Sequence, residues 1–347
     1  MISLPRTRHC RTAASLVLAG VLLALFLRRA PLAEVGEVMA TIQPGWLAGA
    51  VVLALLSYVL RGLRWGLILQ PVGTAPAVTL VGSTAAGFAA STLLPARAGE
   101  VVRGLVIAAR TGMPAAGTLA SILTERLVDL ATVLALFAGA AALAGGRVST
   151  DAMAILTPVA VVAGAVLATG LGVAWLVLRH RERAINRLTR VAPSRFRGKM
   201  GGILHHAMDG LEILRRPGSW WLLAAWSALL WLTSAAQLIL LARGFGIQLD
   251  LVQGVLVMSV SIVGLSVPTP GAVGGFHAAI QFALINMLGV GAALSSAFAI
   301  LHHAVCFVPI TLVGLVYLSR VGFSFKRIPV EKAEADPQSV LSSRAGS

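Results

Sequence analysis

Long, nearly uncharged apolar runs leave this chain few folds. The clearest are Ala13–Leu27, Gly45–Leu60, Pro114–Ala144, Ala152–Leu178, Ser219–Leu241 and Gly291–Leu318. A helix rising 1.5 Å per residue needs about 20 apolar residues to cross a hydrocarbon core roughly 30 Å thick. The runs are continuous and do not alternate with polar residues, which excludes an outer-membrane barrel. With 57% hydrophobic and 12% charged residues and a mean hydropathy of +0.87, the chain lies far from a soluble domain, where charged residues are about 25%. A water-soluble enzyme, a disordered chain and a fibre are excluded, and an all-α polytopic membrane protein is expected.

Ala13–Leu27 follows Arg6, Arg8 and Arg11 and so imitates a signal peptide, but Arg28 and Arg29 come directly after it with no small-residue cleavage site. It reads as a retained first span. The net charge of +15 would suit nucleic acid if it formed a surface stripe. Instead the cations sit between spans. The segment 179–218 alone holds ten Lys and Arg residues. Arg61, Arg64 and Arg110 fall on the same side in the count, as do Arg320, Lys326, Arg327, Lys332 and Arg344, against only Arg28, Arg29, Arg147 and Arg243 opposite. The positive-inside rule then makes both termini cytoplasmic and the number of crossings even, with six satisfying it. The location expected is a bacterial inner membrane, with anionic inner-leaflet lipid against the 179–218 loop and no nucleic acid as partner. Cys10 and Cys306 are too few and too distant to frame a disulfide or metal site, and no cofactor is expected.

Two further apolar stretches, Ala77–Arg110 and Leu251–Gly289, are broken in the middle. The first breaks at Leu94-Pro-Ala-Arg97-Ala-Gly99-Glu100 and the second at Pro268-Thr-Pro270-Gly271-Ala-Val-Gly274-Gly275. Each begins and ends on one side, and the two sides are opposite. Broken backbone at membrane depth survives only where it is buried or lines a cavity. The expected architecture is therefore six full helices plus two oppositely oriented re-entrant hairpins, inverted-repeat-like, as in transporters whose broken elements mark the substrate site. Ordinary kinked spans, eight or more in all, keep the parity and remain the alternative. The transmembrane unit is expected over 1–327, with halves at 1–150 and 219–320, and a disordered tail over 328–347.

Ionised residues within apolar sequence cost about +2.5 to +3.5 kcal/mol each even on a lenient insertion scale. Here they are Arg97, Glu100, Arg103, Glu125, Arg126 and Asp129. Glu100 and Arg103 share a helix face, and so do Glu125 and Asp129. Two bare carboxylates on one face need a cation between them. Glu125 lies about 17 Å along a helix starting near Pro114, close to mid-membrane. Arg97 or Arg103 is expected to dock there, either lining a substrate path or merely pinning the hairpin. At the second break Pro270, Gly271, Gly274 and Gly275 open a helix near Ala272, whose unpaired N–H groups suit a phosphate or carboxylate. His277 falls in its first turn, as a proton carrier, a phosphate donor or a satisfied interior histidine. His302 and His303 lie in the last span with no metal-site spacing. Across Arg195–Arg216 apolar residues recur at helical spacing among cations, which reads as an amphipathic helix on the inner leaflet.

Four blocks, Arg61-Gly-Leu-Arg64-Trp65, Leu94-Pro-Ala-Arg-Ala-Gly-Glu100-Val-Val-Arg103, Glu125-Arg126-Leu-Val-Asp129 and Pro268-Thr-Pro-Gly-Ala-Val-Gly274, together resemble the flippase-like transmembrane region of lysylphosphatidylglycerol synthases. The resemblance runs from about Arg11 to Arg320. It implies a lipid-translocating role in which a polar head group passes between leaflets. The family often carries an acidic residue shortly after the Pro-Gly block, where this chain has His277, which leaves room for an anionic head group. The apolar part ends before Lys332, so no aminoacyl transfer is expected from the resemblance. The rival expectations are an intramembrane enzyme using Glu100, Glu125 or Asp129 as acid or base, and an accessory scaffold beside a glycosyltransferase or lipid synthase. A homo-oligomer is compatible with either.

Overall fold

In the computed structural model the described residues are 32–93, 98–191, 193, 197–267, 270–272 and 274–321. The first expected span, Arg97 and the 328–347 tail lie outside them. All described secondary structure is helical. A short α1 (Leu32–Ala40) leads to α2 (Pro44–Leu69), where Pro44 supplies the preset φ of a first helical residue. Then come α3 (Ala77–Leu93), α4 (Ala98–Thr111), α5 (Ala115–Leu143) and α6 (Thr150–Arg179). Ser149 caps α6 by accepting from the Ala152 amide. The basic segment folds as α7 (Arg181–Val191), α8 (Arg197–Asp209) and a 3-10 turn at Glu212–Arg215. The second part holds α9 (Pro217–Gly244), α10 (Leu251–Ser266), a 3-10 turn at Pro270–Ala272, α11 (Gly275–Phe282) with a π turn over Ala283–Met287, and α12 (Ala292–Val321).

Five of these helices, α2, α5, α6, α9 and α12, are long and apolar enough to cross a membrane, and they match five expected runs within a few residues except at the end of α2. The protein is a multi-pass membrane protein. On α6 large apolar side chains such as Val161, 67% exposed, point away from the protein, which is a lipid-facing arrangement. The loops before α6 and α10 are tied together by charge and capping. Asp250 and Gln253 form a reciprocal box at the start of α10, with Asp250 Oδ1 accepting from the Gln253 amide at 2.8 Å and Gln253 Oε1 from the Asp250 amide at 3.2 Å. Gln253 Nε2 also donates to Arg147 O at 3.2 Å.

Without a hydrophobic drive between helices, close approach at small residues holds membrane bundles together. Both broken stretches fold back on themselves this way. Antiparallel α3 and α4 meet where Gly99 abuts Gly87 O and Ser91, and α10 and α11 meet where Gly264 faces Gly275. The C-terminal part of α12 lies on α3, with Gly314 against Ala85 O. The 3-10 turn at Pro270–Ala272 packs on α3, so the ends of the two folded-back pairs meet. A Cβ on Gly99 would overlap the Gly87 carbonyl. Gly99→Ala is therefore expected to cost about 1–3 kcal/mol by overpacking and to lower the melting temperature in detergent. Gly164→Ala on α6, where a Cβ meets nothing within 4 Å, should not lower it. Equal melting temperatures would refute the close α3–α4 crossing.

The basic segment differs from expectation. The helix spans Arg197–Asp209, not Arg195–Arg216, and its apolar side does not simply face the leaflet. Met208 and Leu204 pack on Leu178 and Ile185, and Thr124 of α5 donates to Gly210 O at 2.8 Å. The protein offers that apolar face a drier partner than the bilayer surface.

Candidate functional site

Glu125 and Asp129, one helical turn apart on α5, are the centre of a buried ionic cluster. Glu125 is fully buried. Its Oε2 accepts from Arg103 Nη1 of α4 at 2.6 Å, and its Oε1 from Arg64 Nη2 of α2 at 3.1 Å. Asp129 Oδ2 accepts from Arg61 Nη1 at 2.9 Å, and Oδ1 lies 2.7 Å from Arg64 Nη2. Trp231 Nε1 on α9 also donates to Asp129 Oδ1, at 3.2 Å. Ser227, one turn earlier, accepts from Arg64 Nη1 at 3.1 Å. Aromatic faces cover the cations. The Arg103 guanidinium lies 3.9 Å from the Trp65 ring centre, and Arg61 lies 5.1 Å from Trp231. Such contacts strengthen where water is excluded.

The expectation that a hairpin arginine docks on the two carboxylates holds for Arg103, whereas Arg97 is outside the described residues. One feature of the cluster corrects the sequence reading. Arg61 and Arg64, counted as inner-face loop cations, lie inside α2 and are buried. The apolar run stops at Leu60, but α2 continues to Leu69 because the carboxylates of α5 satisfy both guanidiniums. Their three-residue spacing and the shortage of cations for Glu125 and Asp129 were the available signals. Glu100 and Arg103 share a helix face, as expected, but do not pair with each other. Arg103 turns to Glu125, while Glu100 Oε1 lies 3.6 Å from Arg126 Nε. Ser227 and Trp231 gave no signal, since such residues are ordinary in any membrane helix.

The second break contributes unevenly. Its helix starts at Gly275, not near Ala272. Gly271 at φ 60° and Ala272 at φ 59° both take the left-handed region, which glycine tolerates and alanine adopts at a cost of roughly 1–2 kcal/mol. His303 of α12 donates from Nε2 to Gly271 O at 2.7 Å and holds that turn. Gly271 borders the charged cavity described next, whereas Gly274 and Gly275 do not. His277 Nδ1 accepts from the Gly274 amide at 3.3 Å, so one amide of the helix start is already used. Its ring lies 4.7 Å from that of His303. Among the described residues no group of three His, Cys, Asp or Glu side chains is placed to hold a metal ion.

Two cavities meet at this cluster. The larger, about 540 Å³, has a polar end at Tyr58, Arg61, Arg126, Asp129, Gln237, Ser259, Ser261 and His302. Its apolar walls come from Leu134, Phe137, Val159, Val162 and Ala163 of α5 and α6 and from Ile262, Val263 and Leu265 of α10. Val159, Val162 and Val263 are also exposed on the outer surface, so these walls run out to the lipid side. The smaller cavity, about 120 Å³, lies between the folded-back pairs, with Ser91, Glu100, Arg103 and Arg126 facing Val267, Gly271 and Ala272. Arg126 borders both cavities and Glu125 borders neither.

A model of the lysylphosphatidylglycerol synthase TM region matches residues 12–314. The chain belongs to that family. In this family member the ionic cluster, both folded-back pairs and both cavities fall within the matched residues. The chain is also similar to a protein of Haloferax volcanii named glycosyltransferase AglD, 28% identical over 329 residues, which cover 86% of this chain and 52% of that protein. It thus spans about half the length of that relative. No solved structure matches the chain.

Proposed function

We propose that the protein is a lipid flippase of a bacterial inner membrane, moving a lipid with a polar, phosphate-bearing head group between leaflets. The observation that carries this is the larger cavity, which is charged at one end and apolar on walls that reach the lipid side. A lipid can cross only if its head is shielded from hydrocarbon while its chains stay in it, and this cavity has both surfaces. In this reading the run Ala13–Leu27 completes six crossings, the two folded-back pairs are re-entrant hairpins entering from opposite faces, and both termini are cytoplasmic. Exchange proceeds by rocking of one half against the other, without covalent chemistry on the lipid. The basic 179–218 segment rests on anionic inner-leaflet lipid.

The test is reconstitution into vesicles with a fluorescent phospholipid, following leaflet exchange with a membrane-impermeant quencher. Ala163→Trp, which adds an indole to the cavity wall, should slow exchange about tenfold, equal to roughly 1.4 kcal/mol. Val161→Trp, on the exposed side of the same helix, should leave the rate unchanged. Exchange no faster than in empty vesicles would reject the reading. The relative's printed name supports a second one, an accessory or catalytic role beside glycosyl transfer to a lipid-linked substrate. Chemically altered lipid recovered from the vesicles would favour it.

A further inference from the structure

We infer that the smaller cavity is a phosphate subsite built on Arg103, a deepening that rests on the transport reading above. Arg103 is 3% exposed and spends one nitrogen, Nη1, on Glu125. Its Nε and Nη2 have no hydrogen-bond partner among the described residues. A buried guanidinium with unmade bonds is costly. Rotation does not relieve it, because Trp65 covers one face of the group and Glu125 fixes one edge. Those two nitrogens belong to a side chain that borders the space between the folded-back pairs, and Arg126 borders it from α5.

The charge balance agrees. Among the described residues, the cluster sets Arg61, Arg64, Arg103 and Arg126 against Glu100, Glu125 and Asp129, one cation in excess. Glu125 and Asp129 each accept from at least two donor groups, and neither is reached by the remaining Arg103 nitrogens. An anion satisfies them, and a guanidinium offering two adjacent N–H groups matches the oxygens of a phosphate in a fork. A volume of about 120 Å³ holds a group of that size and is too small for a whole lipid. The lipid's chains therefore lie elsewhere, in the larger cavity, which shares Arg126 with this one. The phosphate is the group handed between the two hairpins.

The experiment measures equilibrium binding to the full chain purified in detergent. The probes are dihexanoyl phosphatidic acid, inorganic phosphate and phosphate-free dihexanoylglycerol. The phosphatidic acid should bind, and Arg103→Gln should weaken it about tenfold or more, while weak binding of dihexanoylglycerol stays unchanged. Val267→Asp places a negative charge on the opposite wall without touching the ionic cluster. It should weaken the same probe, which keeps the inference testable if Arg103→Gln folds poorly. Phosphatidic acid binding that depends on Arg103 identifies a lipid head group. Dependence seen with inorganic phosphate alone identifies a free phosphate and still supports the subsite. Binding of both probes undiminished in both variants overturns it. Vesicle exchange on the same proteins separates the two readings. Exchange that persists with Arg103-independent binding removes only the subsite. Arg103-dependent binding without any exchange removes only the transport reading.

Discussion

Replacing Glu125 with glutamine is expected to destabilise the protein by about 3–5 kcal/mol, the usual cost of removing one partner from a buried ion pair. The carboxylate is fully buried and borders neither cavity, so no water or substrate replaces what it loses. It accepts from Arg103 and Arg64 on two different helices. Glutamine keeps one acceptor oxygen, and turns an amide with two N–H donors toward a guanidinium. Arg64, itself fully buried, would then depend on Asp129 and Ser227. The expected readout is a lower melting temperature and loss of a monodisperse peak in detergent. The double variant Glu125→Gln/Arg103→Gln, which removes the charge on both sides of one pair, should be less destabilised than the sum of the singles. An unchanged melting temperature for Glu125→Gln would show that the cluster does not hold α2, α4 and α5 together.

That outcome also separates the two roles that the sequence left open for the buried charges. Spans were legible because composition alone decides them at membrane depth: a continuous apolar run has one stable form there. The breaks at 94–100 and 268–275 were legible because proline and glycine punctuate helices wherever they occur. Pairing was not. The local rule that residues three apart share a face puts Glu100 beside Arg103, and it is obeyed, but the stronger field of Glu125 on a neighbouring helix takes the arginine. Arg61 and Arg64 were misplaced for the same reason, because an apolar count ends at the first charge and cannot see its partners 60 residues on. At His277 the sequence favoured a satisfied interior side chain over a ligand, and the structure shows its Nδ1 accepting from the Gly274 amide.

Arg126→Gln is expected to show the opposite signature from Glu125→Gln, with transport lost and the fold kept. The Arg126 side chain is 37% exposed, and its nearest carboxylate oxygens lie at 3.5 Å on Asp129, 3.6 Å on Glu100 and 3.8 Å on Glu125. These are long separations, and partly exposed pairs of this kind contribute about 0–1 kcal/mol. Asp129 keeps Arg61, Arg64 and Trp231 when Arg126 is neutralised, and Glu100, the carboxylate that loses its cation, is partly exposed at the cavity. Yet Arg126 is the charged residue bordering both cavities, and in the proposed transport a head group moving from one cavity to the other would pass it. Removing its charge should slow leaflet exchange by about a hundredfold, roughly 2.7 kcal/mol on the barrier, while the melting temperature shifts little. Arg126→Lys, which keeps a point charge but loses the planar fork, should recover part of the rate. Full-speed exchange in Arg126→Gln would disconnect the cavities from transport, because a polar head group crossing hydrocarbon at that point would then be doing so without the cation that borders both spaces.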